Sequence, residues 1–230
     1  PELIVDTPGE YRIEVVTSSG CIASDEILVE FFPLPEPGTP DALTICDDDN
    51  DGVALFTLTD ADAQIIAGAP GLFVNYYENQ ALADFGDITT ALVSPYQNTS
   101  NPQIVYARLE NIAEGCFDTV PLELIVFDTP IFTVPIPDFV LCDDDADGAT
   151  VFDLTSWDTQ VTPNPAGLII TYFENLVDAQ SNINEITPAN VYTNTTTPQV
   201  IFVRLENQDG CSLINQFNLI VNPLPVYTPP

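Results

Sequence analysis

The chain has 230 residues, 45% of them hydrophobic, which is enough for one large or two ordinary domains with a buried core. Its 35 acidic residues face three Arg, no Lys and no His, for a formal net charge of −32, a surface that repels phosphate backbones and anionic lipid. Nucleic-acid binding and membrane insertion are therefore excluded, the latter also because no apolar run reaches the ~18 residues of a spanning helix, and the missing His removes triads and metal-hydrolase sites.

The chain opens at Pro1 in mid-pattern, without Met and without a signal peptide, and reads as a piece of a longer protein. Residues 1–35 read as the C-terminal part of a module whose complete copies follow. In "YRIEVVTSSGC", Arg12 stands 96 residues before Arg108, which stands 96 before Arg204, and Cys21 stands 95 before Cys116. Every cation of the chain thus occupies one repeat position. Ile27, Val29 and Phe31 alternate as one face of a strand. "FFPLPEPGTP" then reads as a Pro-rich, semi-rigid linker.

The first complete module is expected over residues 36–129. It begins with "CDDDNDG", Cys46 to Gly52, followed by a strand pattern in "ALFTL" and a helical turn in "TDADAQII". "GLFVNYYEN" is β-branched and aromatic, as strands prefer. In "PQIVYARLEN" (102–111), Val105, Ala107 and Leu109 point one way, against Ile104, Tyr106, Arg108 and Glu110; Leu122, Leu124 and Val126 share a face of the next strand. Arg108 and Glu110 read as an ion pair on the strand face, with a ligand-binding Arg as the sharper alternative.

A second copy is expected over residues 130–225, entered through the Pro-rich "FDTPIFTVPIP". "CDDDADG" begins at Cys142, "TYFEN" at 171 and "PQVIFVRLEN" at 198, each 96 residues after its counterpart. The strand faces repeat as Ile201, Val203 and Leu205, then Phe217, Leu219 and Val221. Residues 226–230 read as the start of a further linker. Short alternating strands separated by Gly, Pro, Asn and Asp clusters, in a unit near 95 residues, predict an all-β architecture of tandem immunoglobulin-like β-sandwich modules joined by Pro-rich linkers.

Each full module carries one Cys before its acidic loop and one after the Gly of "EN…GC". If the first strand and the loop before the last strand share one end of the sandwich, the pairs are Cys46–Cys116 and Cys142–Cys211. The alternative links modules through Cys21–Cys46 and Cys116–Cys142 and leaves Cys211 over. Either pattern implies an oxidising compartment and an exported protein.

Asp47, Asp49 and Asp51, with Gly52 after them, alternate as a tight loop does when it aims carboxylates at one hard cation; Asp143, Asp145, Asp147 and Gly148 repeat this. Calcium is the expected ion. The pattern departs from an EF-hand, because Leu58 and Leu154 stand where the bidentate Glu would be. Further ligands are sought in the carbonyls of Val53 and Ala149 and in Asp41 and Asp138.

The motifs "CDDDNDG…FTLT", "YYEN", "PQIVYARLEN" and "GC" resemble the repeated modules of large cell-surface proteins of Bacteroidota, of the gliding-motility adhesin kind. The resemblance covers essentially the whole chain. It implies export by a type IX secretion system, an extracellular position on the cell surface, and adhesion by a long stalk whose partners are neighbouring modules, surface polysaccharide or other cells. A carbohydrate-binding module is the second reading, with Tyr76, Tyr77, Tyr172 and Phe173 stacking on sugars. An enzyme is not expected, since the acidic clusters sit in repeated loops of small domains and not in one cleft.

Overall fold

The computed structural model describes residues 3–225; the expected linker start at 226–230 lies outside them. The chain forms two compact units, one of residues up to Leu43 with Leu55–Ile125, the other of Thr44–Ala54 with Val126 onward. The acidic loop of the first repeat therefore belongs to the second unit.

In chain order the elements are β1 (Gly9–Val16), β2 (Ile22–Val29), β3 (Leu43–Asp47), β4 (Leu55–Phe56), α1 (Asp62–Ile66), β5 (Phe73–Tyr77), α2 (Gln80–Phe85), β6 (Tyr96–Gln97), β7 (Gln103–Asn111) and β8 (Cys116–Asp128). The second repeat follows with β9 (Phe139–Asp143), β10 (Val151–Phe152), α3 (Asp158–Val161), β11 (Ile169–Phe173), α4 (Leu176–Ser181), β12 (Tyr192–Thr193), β13 (Gln199–Glu206) and β14 (Ser212–Pro223). The fold is mostly β, with short helices set between the strands of each repeat.

In the first unit β7 pairs antiparallel with β5 on one side and β8 on the other, with Tyr76 opposite Ala107 and Val105 opposite Leu122. The period-2 pattern lands as expected: Val105, Ala107, Leu109, Leu122 and Leu124 are buried. The expected turn in "TDADAQII" forms as a 3₁₀ turn at Leu58–Ala61 running into α1, and seats Leu58 and Ile65 in the core. Helix α2 was not expected. Asn79 starts it by accepting the Leu82 N–H at 3.0 Å, and Gly86 ends it at φ 71°. β1 and β2 form a hairpin in register from Gly9↔Val29 to Val16↔Ile22, whose apolar side chains Ile13, Ile22 and Ile27 are exposed.

The second unit contains the sheet β11–β13–β14–β9, with β10 and β12 paired separately. Its outer pair matters most: β9 runs parallel to β14, with Phe139 beside Leu219 and Cys142 beside Asn222. Phe152, Tyr172, Ile201, Val203, Leu205 and Leu219 fill the core. Phe139 stacks on Trp157 with ring centroids 4.2 Å apart and meets Phe152 edge-on at 5.0 Å. Each such side chain contributes roughly 1.5–3 kcal/mol on full burial.

The three cations meet different surroundings. Arg12 lies on the exposed hairpin, 3.6 Å from Glu26 and 3.7 Å from Glu14. Arg204 pairs with Glu206 at 2.7 Å. Arg108 is buried, and the ion pair expected on its strand face forms. Its Nε donates to Glu110 at 3.0 Å and its Nη1 to the carbonyls of Ala83 and Asp84 at 2.9 and 3.2 Å, at the end of α2. The guanidinium also stands 3.3 Å above the Phe117 ring. A Cβ on Gly86 would come within 2.8 Å of it, so Gly serves this close approach as well as the turn. Removing a buried charge with several partners leaves carbonyls and a carboxylate unpaired. Urea unfolding of Arg108→Leu is therefore expected to show a loss of about 3 kcal/mol. Arg12→Leu, on an exposed pair, should cost no more than ~0.5 kcal/mol; equal effects would remove the anchoring role.

Candidate metal loops and an inter-repeat disulfide

Both acidic loops wrap around their first carboxylate. Asp47 is buried; its Oδ2 accepts the Gly52 N–H at 2.6 Å and its Oδ1 the Asp49 N–H at 3.2 Å. Asp143 repeats this, accepting from Gly148 at 2.8 Å, Ala146 at 2.7 Å and Asp145 at 3.3 Å. The turn requires left-handed backbone, at Asn50 and Gly52 in one copy and at Ala146 and Gly148 in the other. Asp51 and Asp147 accept the N–H groups of Val53 and Ala149 at 2.7 and 2.8 Å.

In each loop the three alternating carboxylates bring one oxygen apiece within 4.8 Å of one another. Their electrostatics differ in sign. Desolvation pulls the Asp47 carboxyl upward, but the N–H of Gly52, the Asp49 side chain and the N–H groups of Asp49 and Asn50 hold it below the usual range. The Asp143 carboxyl is held low chiefly by the Gly148 N–H, against desolvation. Asp49 is pushed up by its side-chain contact with Asp47 and by the charge of Asp51. Asp145 is pulled down by the Asp147 N–H, yet the Asp147 charge, desolvation and Asp144 raise it overall. Each loop thus holds more negative charge than its own N–H groups neutralise, which is the chemistry of a site that could bind a metal ion.

The two upstream acids do not take the expected part. Asp41 exchanges hydrogen bonds with Gln64, and Asp138 accepts from the Asn218 backbone and side chain. Leu58 and Leu154 are core residues. The four aromatics offered for sugar stacking, Tyr76, Tyr77, Tyr172 and Phe173, are all buried, and Tyr76 and Tyr172 donate to Asp62 and Asp158 at 2.6 Å. The second reading, in which these rings stack on sugars, therefore fails, and the doublets fill the core.

The cysteine pairing differs from both sequence expectations. The disulfide joins Cys46 to Cys211, across 165 residues, while Cys21, Cys116 and Cys142 are free thiols. Neither Cys46–Cys116 nor Cys142–Cys211 forms, and neither does Cys21–Cys46 or Cys116–Cys142. The parallel β9–β14 pair gives the reason. Cys142 sits beside Asn222, near the end of β14, whereas Cys211 directly precedes its first residue, Ser212. At ~3.3 Å per residue the two ends lie roughly 35 Å apart. The premise that both cysteines share one end of the sandwich fails, because it assumes an antiparallel neighbour.

Polar contacts fix the bonded region within the second unit. Thr129 donates its N–H to the Asn50 side chain at 2.7 Å and its hydroxyl to the Asp47 carbonyl at 2.7 Å, and Asn50 Nδ2 donates back to the Thr129 carbonyl. On the other side Asn207 accepts the Cys211 N–H at 2.9 Å, closing the turn through Gly210, and donates to the Asp128 carbonyl at 2.7 Å.

A bond between one copy of the motif and the next agrees with the family comparison. Residues 41–130 and 138–225 each match the model of the Flavobacterium inter-domain disulphide bond domain. The chain belongs to that family. Cys46 lies in its first inter-domain disulphide domain and Cys211 in its second, and two such repeats fit a Bacteroidota surface protein. No curated protein matches. Among solved structures the chain is similar to extracellular domains 3–5 of Drosophila OTK, at 11% identity over 94% of this chain and 71% of that one, with a TM-score of 0.35. It is also similar to titin domains I67–I69, at 9% identity over 94% and 75%, with a TM-score of 0.32. No helix among the described residues is long and apolar enough to cross a membrane.

Closing a loop of this length stabilises by about 5 kcal/mol in the chain-entropy description. Non-reducing peptide mapping should recover Cys46 joined to Cys211, and Cys46→Ser with Cys211→Ser should lower unfolding stability by a few kcal/mol; a Cys46–Cys116 peptide would refute the pairing.

Proposed function

We propose that the chain is a structural, adhesive repeat region of a long extracellular surface protein, stiffened by disulfides between repeats and by calcium in its acidic loops. The observation that carries this reading is the Cys46–Cys211 bond, which joins two repeats one residue before the buried Asp47 of the acidic loop. A disulfide of this kind suits an oxidising, extracellular setting. In the same reading, modules are divided as 1–35, 36–129 and 130–225, with export by a type IX system and contacts to surface polysaccharide or other cells. The immunoglobulin-like fold and the family support a non-enzymatic role. The carbohydrate-binding alternative loses the four aromatics on which it stood.

Asp47, Asp49 and Asp51, with Asp143, Asp145 and Asp147, would hold the calcium. The ion supplies positive charge where the carboxylates repel one another. Affinity on the order of 10⁻⁴–10⁻³ M is expected, as for extracellular modules. Calorimetry should register calcium uptake at millimolar concentration, with a rise in Tm that chelator reverses. Asp49→Asn with Asp51→Asn should abolish uptake in its own loop and spare the other. No uptake would reject calcium; uptake with scattering profiles unchanged by chelator and by reductant would reject stiffening.

The pH dependence has a defined sign. Asp49 and Asp145 have raised folded-state pKa values, so their contribution to stability is present below the ordinary carboxylate pKa and is lost as pH rises through the raised value. Asp47 and Asp143 are lowered and act oppositely, stabilising above the ordinary value and losing this as pH falls through the lowered one. The Tm increment from calcium should accordingly be full near neutral pH and shrink towards pH ~4, as Asp49 and Asp145 take up protons. An increment independent of pH over this range would contradict the assignment of the ion to these carboxylates.

A further inference from the structure

One acid of each repeated motif stands outside the alternating carboxylates. Asp48 lies between Asp47 and Asp49, as Asp144 lies between Asp143 and Asp145, and neither belongs to the groups whose oxygens converge. Asp48 is exposed, and among the described residues its carboxylate meets no hydrogen-bond or ion-pair partner. It stands at the rim of a cleft of about 360 Å³, at the small end of the range for ligand pockets.

The cleft lies wholly within the second unit, where the first acidic loop, the segment leading to β9 and the start of β14 come together. Pro130, Phe132, Val134 and Leu213 give it apolar walls; Asp48 and Asp49 give it a negative rim. The walls are held in place before any ligand arrives. Thr162 donates its hydroxyl to the Ile131 carbonyl at 2.7 Å, and Thr133 donates its N–H to the Val161 carbonyl at 2.8 Å. The segment is thus tied to the end of α3, while the contact between Thr129 and Asn50 ties it to the loop. The disulfide fastens the loop to Cys211, two residues before Leu213. A cleft fixed in this way loses little conformational freedom when it is filled.

We propose that this cleft takes a lysine side chain presented by a different protein. The apolar stem of lysine, one methylene longer than that of arginine, suits the walls, and its ammonium head suits the carboxylate of Asp48. A neutral side chain would leave that charge unanswered, and a carboxylate or phosphate would be repelled by it. The chain cannot fill the cleft from a second copy of itself. It has no Lys, and each of its three Arg is already paired with Glu. A net charge of −32 also draws cationic partners towards the surface. Asp48 lies outside the carboxylates assigned to calcium, so binding here is independent of that reading.

The test titrates the isotope-labelled whole chain with a blocked Gly-Lys-Gly peptide, followed by NMR at physiological salt and in chelator. A second titration uses the norleucine counterpart, which keeps the stem and loses the charge. The lysine peptide is expected to bind about fivefold more tightly, as a partly exposed ion pair allows, with amide shifts centred on Asp48, Phe132, Val134 and Leu213. Asp48→Asn should remove this preference. Asp144→Asn, at the matching position of the other loop, should leave it unchanged. Val134→Ser, at an exposed position of the wall, should weaken both peptides alike. Equal binding of the two peptides, a preference that survives Asp48→Asn or falls equally with Asp144→Asn, shifts scattered over the acidic surface, or no binding at millimolar peptide would overturn the proposal. Calcium uptake, measured separately, can fail without touching any of these outcomes.

Discussion

The parallel seating of β9 against β14 is the constraint on which the rest of the molecule turns. It places the beginning of the second repeat, Phe139–Asp143, alongside Leu219–Pro223. Cys142, within β9, and the acidic loop that continues from it are thereby carried to one pole of the sheet. The Gly-Cys turn before β14 stays at the other. A sandwich whose first strand ran antiparallel to its last would bring the two cysteines together and close each repeat on itself. With the parallel neighbour, the cysteine of one repeat is available only to a different repeat, and the acidic loop beside it goes along.

The three arginines show how one repeat position serves different ends. Arg12 on its exposed hairpin has two long contacts to Glu. Arg108 ties the end of α2 to the sheet through two carbonyls and covers Phe117. Its repeat partner Arg204 keeps the ion pair with Glu206 two residues on. In a chain with so few cations, the buried one is held where charge-assisted bonds are strongest, at a helix end and against a carboxylate in a partly dry site.

Much of this was legible in the sequence. The 96-residue offset exposed the repeat, and period-2 alternation picked out Val105, Ala107, Leu109, Ile201, Val203 and Leu205 as core. Asp47, Asp49 and Asp51 come together as their spacing predicts, since a tight loop around Gly52 leaves alternate residues little choice. Strand direction was not legible. Alternation specifies which side chains face inward and is blind to whether a neighbour runs parallel, so the cysteine pairing was misread. Burial of Arg108 was missed because the outer face is covered by α2, a six-residue helix with little periodicity of its own. Its signal was Asn79 ahead of "QALADF", a capping side chain before helix formers. Doublets such as Tyr76–Tyr77 and Tyr172–Phe173 defeat alternation too, because both faces are buried at the C-terminal ends of those short strands.

The disulfide also decides how tension travels. A pull on the two ends enters at the β1–β2 side and leaves through β14. Between Cys46 and Cys211, separated by 165 residues, the force takes the sulfur–sulfur bond and bypasses the intervening chain. Roughly 550 Å of extendable polypeptide is thereby kept out of the load path. Strands β4 to β13 keep their hydrogen bonds under a force that would otherwise shear them apart one by one. Reduction of that single bond would return the intervening residues to the load path.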